Sequence, residues 1–464
     1  MTDSDNSNSY ESPQSELLAK SNGTSAFSNW ARWQVLILVA LDYFTLYLHR
    51  SVLNNLQAPV RSDLNISEAQ WGGLQAAFLF SYATTQILVS YLGDRFRRRT
   101  VLLGSLSASF VCVALMAFAQ NYWTLFGLRI ALGIAQSASV PAIASAMGDA
   151  FTPKNRSTAV AIYLFSYNVA VVLASTVGGH LTDTPTWTLP LTWIGMEDTT
   201  VAGWRVAIML FALIGVVIAI VMFTMFREPP RLDRVKGEGL GVDGSDFLAT
   251  LIAVLRVPSY WMIAFVFLFQ GSVVSATQFW LPEYFVEKFS ISRAAAGFLA
   301  TTWIQVGTVA GLICGGPIAD AAARRTRAGR TIVQCLGLAM WLVALPAMGL
   351  CGHNALLIVA MLTYGLGVGL YQANLWTTTF EVVDPAARST AVGYLNVVGG
   401  TLGSAFPPLI GWMVNSGFAS DFGVVLLGAT VLPVICIIAF TSSMIIFLPR
   451  DFRSSPNEPT DQKH

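Results

Sequence analysis

The second long apolar stretch of this chain ends in Ser90-Tyr91-Leu92-Gly93-Asp94-Arg95-Phe96-Arg97-Arg98-Arg99, and the eighth ends in Gly316-Pro317-Ile318-Ala319-Asp320. A second pair of related segments begins at Pro153 (Pro-Lys-Asn-Arg-Ser-Thr-Ala-Val) and at Pro385 (Pro-Ala-Ala-Arg-Ser-Thr-Ala-Val). Both pairs lie about 230 residues apart in the same order, which indicates one helical bundle repeated in a single chain. Two similarly oriented membrane bundles are typical of transporters that hold a solute between the halves.

The composition places most of the chain in lipid. Of its 464 residues, 54% are hydrophobic and 11% are charged, whereas soluble proteins carry about 25% charged residues. Backbone groups in lipid must be satisfied within helices, so we predict an all-α membrane protein with about twelve transmembrane helices in two pseudo-symmetric six-helix bundles. The apolar stretches lie at 32–58, 68–92, 100–119, 123–150, 157–181, 203–226, 258–285, 294–320, 331–351, 354–380, 388–415 and 422–447.

The predicted organisation is a polar tail (1–30), a first bundle (31–226), a linker (227–250), a second bundle (251–448) and a tail (449–464). Arg and Lys cluster in alternate connections, so the positive-inside rule predicts cytoplasmic termini in a plasma membrane, with a bacterial inner membrane expected. The connection at 182–202 is rich in Thr, Pro and Trp. We expect an irregular loop at the membrane surface there, with a lid as the alternative.

The first span carries the richest set of polar side chains. Tyr43, Tyr47 and Arg50 follow i, i+4, i+7 spacing and therefore share one helical face. An ionisable group inside a span costs about 2.5–3.5 kcal/mol, so Arg50 is predicted to face a wet cavity and bind a carboxylate or phosphate. The alternative is that Arg50 lies near the outer end and snorkels to the interface. Asp42 and His49, beside this stripe, are candidates for carrying a coupling cation.

Other spans supply further candidates for the substrate site, because an unpaired amide in lipid is costly and a cavity accommodates it. Arg129 is a coupling candidate or half of a structural ion pair. For any single aromatic side chain, helix packing is the alternative to substrate binding. Besides the first span, the substrate-site candidates are Gln136, Tyr163, Tyr167, Gln278, Trp280, Tyr284, Trp303, Asn374 and Asn396.

Charged residues at the cytoplasmic edge are predicted to form a gate. Asp94 with Arg95 and Arg98, and Asp320 with Arg324 in the repeat, could form ion pairs that are made in one state and broken in the other. The alternative is that they only determine topology.

No enzyme motif is present: the chain has no P-loop, nucleotide-binding glycine fingerprint, HExxH or cysteine cluster. We therefore expect a transporter without cofactor or metal, driven by an ion gradient or the membrane potential. Its expected partners are the bilayer, a small organic solute and a coupling cation. No nucleic acid is expected, and one chain holds both bundles, so we expect a monomer.

The segment from Ser90 to Arg99 resembles the signature Gly-x-Leu-x-Asp-Arg-x-Gly-Arg-Arg of the major facilitator superfamily. Within that superfamily, the anion:cation symporter branch is most similar, through Tyr47-Leu48-His49-Arg50, Trp280-Leu281-Pro282-Glu283-Tyr284 and Gly393-Tyr394-Leu395-Asn396. The resemblance implies alternating-access transport of a small organic anion such as a sugar acid, coupled to protons or another cation. Arg50 would then grip the substrate carboxylate, while Asn396 orients it.

Two residues depart from that family pattern. Many members have an Asp where this chain has His49, and a Glu in the fourth span where Gln136 falls. Because Gln cannot titrate, Asp42 and His49 remain as proton carriers. The chain is also similar to the spinster-like lipid transporters, so the alternative function is an uncoupled facilitator or an exporter of a lipid-like or uncharged solute. A ligand sensor on a transporter fold is a third hypothesis.

Overall fold

The computed structural model describes residues 29–93, 97–151, 153–189, 199–226, 252–352, 355–383, 388–399 and 403–447. The first half contains α1 (Asn29–Arg50), α2 (Gln57–Leu64), α3 (Glu68–Gly93), α4 (Arg98–Met116), α5 (Tyr122–Gln136), α6 (Ser139–Ala150), α7 (Pro153–Asp183) and α8 (Gly203–Met225). The second half contains α9 (Pro258–Phe289), α10 (Arg293–Ala323), α11 (Gly329–Leu350), α12 (Ala355–Val382), α13 (Arg388–Val397), α14 (Phe406–Asn415), α15 (Phe422–Ala429) and α16 (Val431–Ser442), followed by a π-helical turn.

The helices confirm the prediction of an all-α membrane protein. Among the described residues, ten stretches are long and apolar enough to cross a bilayer. The remaining two predicted spans correspond to α3, which is 26 residues long, and to the interrupted pair α13 and α14. The predicted linker and both polar tails lie almost entirely outside the described residues, so the domain boundaries stay a prediction.

The connection between α7 and α8 differs from the predicted irregular loop. Its described parts form an antiparallel hairpin of β1 (Thr186–Leu189) and β2 (Thr199–Ala202). Thr fills four of the eight strand positions, and Trp187 and Val201 fill two more; all three residue types favour extended backbone. The indole of Trp187 donates to the Leu181 carbonyl at 2.8 Å, and this bond ties the hairpin to the end of α7. We call this side of the bundle the hairpin face, and the side carrying Arg97 to Arg99 the basic face.

The two halves meet closely at the hairpin face. Asp183, the last residue of α7, accepts hydrogen bonds from the first two amides of α10, at 2.7 Å from Arg293 and 3.2 Å from Ala294. A Cβ at Gly297 of α10 would collide with the Ser175 carbonyl of α7. Close backbone approach of this kind requires glycine. Helices α7 and α10 therefore seal the hairpin face in this conformation.

Candidate functional site

Arg50 ends α1 and lies among aromatic rings. Its guanidinium carbon is 4.5 Å from the ring centre of Tyr47, 4.4 Å from that of Tyr82 and 5.1 Å from that of Phe78. Rings at these distances attract the cation but do not neutralise it. The Nε and Nη2 atoms of Arg50 have no hydrogen-bond partner. A half-buried cation with open donors is suited to a planar anion such as a carboxylate.

The four tyrosines predicted from α1 and α7 form one cluster beside Arg50. Tyr43 packs on Tyr163 and Tyr47 packs on Tyr167, with ring centres 5.1 and 4.4 Å apart. The hydroxyls of Tyr43 and Tyr47 lie 3.4 Å apart. The i, i+4 spacing in each helix places these rings opposite one another. The structure thus brings Arg50 together with all four tyrosines.

A cavity continues from this cluster into the second half. The side chain of Gln278 on α9 donates to the Tyr167 hydroxyl at 2.8 Å. The cavity lining mixes amides, hydroxyls and apolar side chains, which suits a small polar solute. The lining residues are Tyr167, Val274, Thr277, Gln278, Ile304, Gln305, Thr308, Tyr364, Val368 and Gln372.

Arg129 of α5 is fully buried behind Arg50. Its guanidinium donates to the Arg50 carbonyl at 3.4 Å, to the Leu74 carbonyl at 3.2 Å and to the Gln75 side chain at 2.6 Å. All three acceptors are neutral. The alternative of an ion pair at Arg129 is not realised among the described residues. Arg129 instead supports the end of α1 that carries Arg50.

The two predicted proton carriers of α1 face away from Arg50. His49 is fully buried, and its Nε2 lies 2.9 Å from the Phe211 carbonyl of α8. A Cβ at Gly215 would collide with the same imidazole. Asp42 is also fully buried, and both of its carboxylate oxygens lack hydrogen-bond partners. Seven residues separate the two side chains, so they share a face of α1 that differs from the face of Arg50.

Gln136 lies two helical turns beyond Arg129 on α5. It is fully buried, and its side-chain nitrogen donates to the Leu46 carbonyl at 3.2 Å. Its Oε1 atom has no partner. The amide therefore lies against the last turns of α1, one turn before Arg50, where a carboxylate would add a negative charge to the first half.

Several predicted substrate residues lie apart from the Arg50 cluster. The Tyr284 hydroxyl donates to Gly349 of α11, and the Asn374 amide donates to Gly315 of α10, so both side chains join helices within the second half. Trp280 packs against Phe279 and is buried in the core. The described contacts give no link from these three residues to Arg50. Trp303 and Asn396 are half-buried on α10 and α13, also without a described contact to the cluster.

The basic face carries an ion-pair network that differs from the predicted gate. Asp320 pairs with Arg330 at 2.7 Å, and Glu381 pairs with the same guanidinium. Arg324 is exposed at the end of α10, so Arg330 replaces it as the partner of Asp320. The network joins α10, α11 and α12. In the first half, Asp94 and Arg95 lie outside the described residues, and Arg98 begins α4.

Sequence patterns missed the residues of α3 that face Arg50. Phe78 and Tyr82 follow i, i+4 spacing, and Gln75 lies one turn earlier. This i, i+4 spacing is common in buried helices, so it did not single these residues out as part of a site. Among the described residues, no group of three His, Cys, Asp or Glu side chains could hold a metal ion.

Comparison with known proteins agrees with this architecture. The chain is 22% identical over 434 residues to a probable galactarate/D-glucarate transporter of Bacillus subtilis, covering 87% of this chain and 90% of the relative. It is 24% identical over 411 residues to a probable sulfoacetate transporter of Cupriavidus necator, covering 86% and 91%. In fold, it is similar to a bacterial homologue of the human lysosomal transporter spinster in an inward-facing, unoccupied conformation. That match has a TM-score of 0.77, 20% identity, and coverage of 92% of this chain and 99% of the other.

A family model decides the assignment. Residues 37–408 match the model of the Major Facilitator Superfamily, which is well over half of the chain. This match confirms the predicted superfamily and a transporter rather than an enzyme. The chain belongs to the Major Facilitator Superfamily.

Proposed function

We propose that the protein carries a small organic anion across the membrane by alternating access, with Arg50 as the anion-binding residue. The observation that carries this proposal is the guanidinium of Arg50, which lies among the rings of Tyr47, Phe78 and Tyr82 with two nitrogens unpartnered. A carboxylate can accept two parallel hydrogen bonds from such a fork. Gln278 and Gln305, across the cavity, would bind hydroxyl groups of the same solute.

The relatives support an anionic substrate, since those reported above are named as transporters of galactarate, D-glucarate and sulfoacetate. We also propose a bacterial inner membrane, because both are bacterial proteins. The basic face would be cytoplasmic by the positive-inside rule. One chain supplies both sides of the cavity, which supports a monomer as the working unit.

Coupling to a cation would depend on few groups. A proton would have to bind Asp42 or His49, since Gln136 cannot titrate. Both side chains are fully buried on a face of α1 away from Arg50. Any coupling through them would therefore act through α1 and not by direct contact with the anion.

The test is uptake into proteoliposomes of labelled D-glucarate, D-galactonate, D-galacturonate and sulfoacetate, with D-galactose and a lysophospholipid as uncharged and lipid-like controls. We expect uptake of at least one anion, its loss in Arg50→Ala, and impaired uptake in Arg50→Lys, which keeps the charge but loses the fork. Arg325→Ala, an exposed site at the basic face, is the matched control. Uptake of galactose or the lysolipid alone, insensitive to Arg50, would support the alternative function instead.

A further inference from the structure

Two arginine side chains lie close together at the proposed anion site. Arg50 and Arg129 share the ring of Phe78, whose centre lies 5.1 Å from one guanidinium carbon and 4.9 Å from the other. Arg129 also donates to the Arg50 carbonyl. Two guanidinium groups thus lie on either side of one ring, Arg129 fully buried and Arg50 half-buried, where a net charge becomes costly once water is excluded.

No described carboxylate offsets this pair. The ion pairs found in the described part of the chain involve other arginines, at the hairpin face and at the basic face. The titratable or charged side chains described around Arg50 are, besides Arg129, all tyrosines: Tyr43 and Tyr47 on its own helix α1, Tyr82 on α3 and Tyr167 on α7.

A carboxylate at a nearby position could offset the positive charges of Arg50 and Arg129. The candidate positions hold a neutral side chain or one that lies away from Arg50. Gln136 offers an amide with an unpartnered oxygen. His49 contacts the Phe211 carbonyl of α8, on a different face of α1 from Arg50. Asp42 lies eight residues before Arg50, about 12 Å along the helix axis, and it forms no described hydrogen bond or ion pair.

Alternating access requires the site to be closed off from both aqueous phases during each transition. With an anion bound, one positive charge is neutralised before closure. Without an anion, both guanidinium groups must pass through the closed state uncompensated, which raises the barrier for the empty protein. A protonatable acid beside the arginines would remove this asymmetry, and the described site lacks one.

We propose that the protein is an anion exchanger: it reorients readily with an anion bound and slowly when empty, so that inward movement of one organic anion is matched by outward movement of another. This inference rests on the proposed function, because it takes Arg50 as the anion-binding residue. It also distinguishes the protein from the proton symporter that the family resemblance implies.

The test compares two sets of proteoliposomes, one preloaded with unlabelled anion and one containing buffer. The probe is whichever of D-glucarate, D-galactonate, D-galacturonate and sulfoacetate shows the largest uptake that depends on Arg50. We expect entry into preloaded vesicles to be at least tenfold faster than entry into empty ones. Nigericin, which collapses a pH gradient, should leave the exchange rate unchanged. Equal rates in both sets, or net uptake driven by an inward proton gradient, would overturn the inference while leaving anion transport intact. If none of the four anions were taken up in a way that depends on Arg50, the proposed function itself would be refuted.

A variant tests the electrostatic cause. Gln136→Glu adds a carboxylate on the same helix as Arg129. It should lower, several-fold, the ratio of the uptake rate into preloaded vesicles to the uptake rate into empty vesicles. It should also make uptake into empty vesicles depend on pH. Gln136→Met, of similar length but uncharged, is the matched control and should keep the wild-type ratio. If Gln136→Glu still exchanged with the wild-type ratio and no pH dependence, uncompensated charge would not be the cause of exchange.

Discussion

Gln278 of α9 donates a 2.8 Å hydrogen bond to the Tyr167 hydroxyl of α7, so the two halves of the bundle are joined by side chains at the cavity itself. Tyr167 also packs on Tyr47, whose ring contacts Arg50. A continuous path of contacts therefore runs from the Arg50 guanidinium to the second half. We expect binding at Arg50 to be coupled to the second half through Tyr47, Tyr167 and Gln278.

Removing this cross-half hydrogen bond should weaken substrate binding. Tyr167→Phe keeps the ring against Tyr47 but removes the hydroxyl that Gln278 needs. A hydrogen bond contributes about 0.5–1.5 kcal/mol, so the half-saturating anion concentration should rise between about 2-fold and about 10-fold. Concentration-dependent uptake into proteoliposomes measures this change. Tyr394→Phe, on α13 against Trp261, should have no effect, and an unchanged value for Tyr167→Phe would remove Tyr167 from the site.

Helical spacing predicted which of the first-half candidate residues lie together, but not which of the second-half candidates do. Tyr43, Tyr47 and Arg50 share one face by their spacing, and the structure brings them together. On α9, Trp280 and Tyr284 are rotated about 200° and about 240° from Gln278. They cannot face the cavity if Gln278 does. Helical periodicity shows that Gln278 cannot share a face with Trp280 and Tyr284. It does not show which of the two faces points to the cavity.

Contacts between distant helices could not be derived from local patterns. The neighbour of Asp320 is Arg330, ten residues away across a turn, although Arg324 is closer in sequence. Likewise, Phe78 and Tyr82 meet Arg50 only because α3 packs beside the end of α1. Both relationships depend on how helices pack, and the repeated segments predicted the fold class without fixing that packing.

Close packing of α7 on α10 should control the equilibrium between conformations with the hairpin face sealed and conformations with it open. In Gly297→Ala, the added Cβ would collide with the Ser175 carbonyl, so the sealed hairpin face should be destabilised. Spin labels at Ser62 and Ser416, in a variant lacking the native cysteines, would report a longer distance between the halves. Gly316→Ala, on the same helix with open space around it, is the control. Identical distance distributions in the two variants would contradict this account.

Asp183 should also stabilise the sealed hairpin face, through hydrogen bonds to the start of α10. Its carboxylate accepts from the first two amides of α10, and Asp183→Ala leaves those donors to water. Loss of a helix cap costs about 0.5–2 kcal/mol, so the sealed state should lose between about 2-fold and about 30-fold in relative population. The same spin-label pair measures the shift. Asp421→Ala removes a comparable cap within the second half, at the Val424 amide. If Asp421→Ala opened the hairpin face as much as Asp183→Ala, the effect would be one of general stability.

Arg330 should stabilise the second half mainly through Glu381. The Glu381 side chain is 17% exposed, whereas that of Asp320 is 60% exposed, and an exposed ion pair contributes little. Arg330→Met leaves the Glu381 carboxylate half-buried without its cation, which should cost about 1–3 kcal/mol. Thermal unfolding in detergent, followed by loss of the monodisperse peak in size-exclusion chromatography, should therefore occur at a lower temperature.

A second substitution separates the contributions of the two carboxylates. Adding Glu381→Gln to Arg330→Met removes the unpaired charge, and should recover most of the lost thermal stability because a neutral amide is less costly to bury. Adding Asp320→Asn to Arg330→Met should recover much less, since water already solvates that carboxylate. Equal recovery by both double variants would mean that the two acids share the guanidinium evenly. Greater recovery with Asp320→Asn would contradict the dominant role given to Glu381.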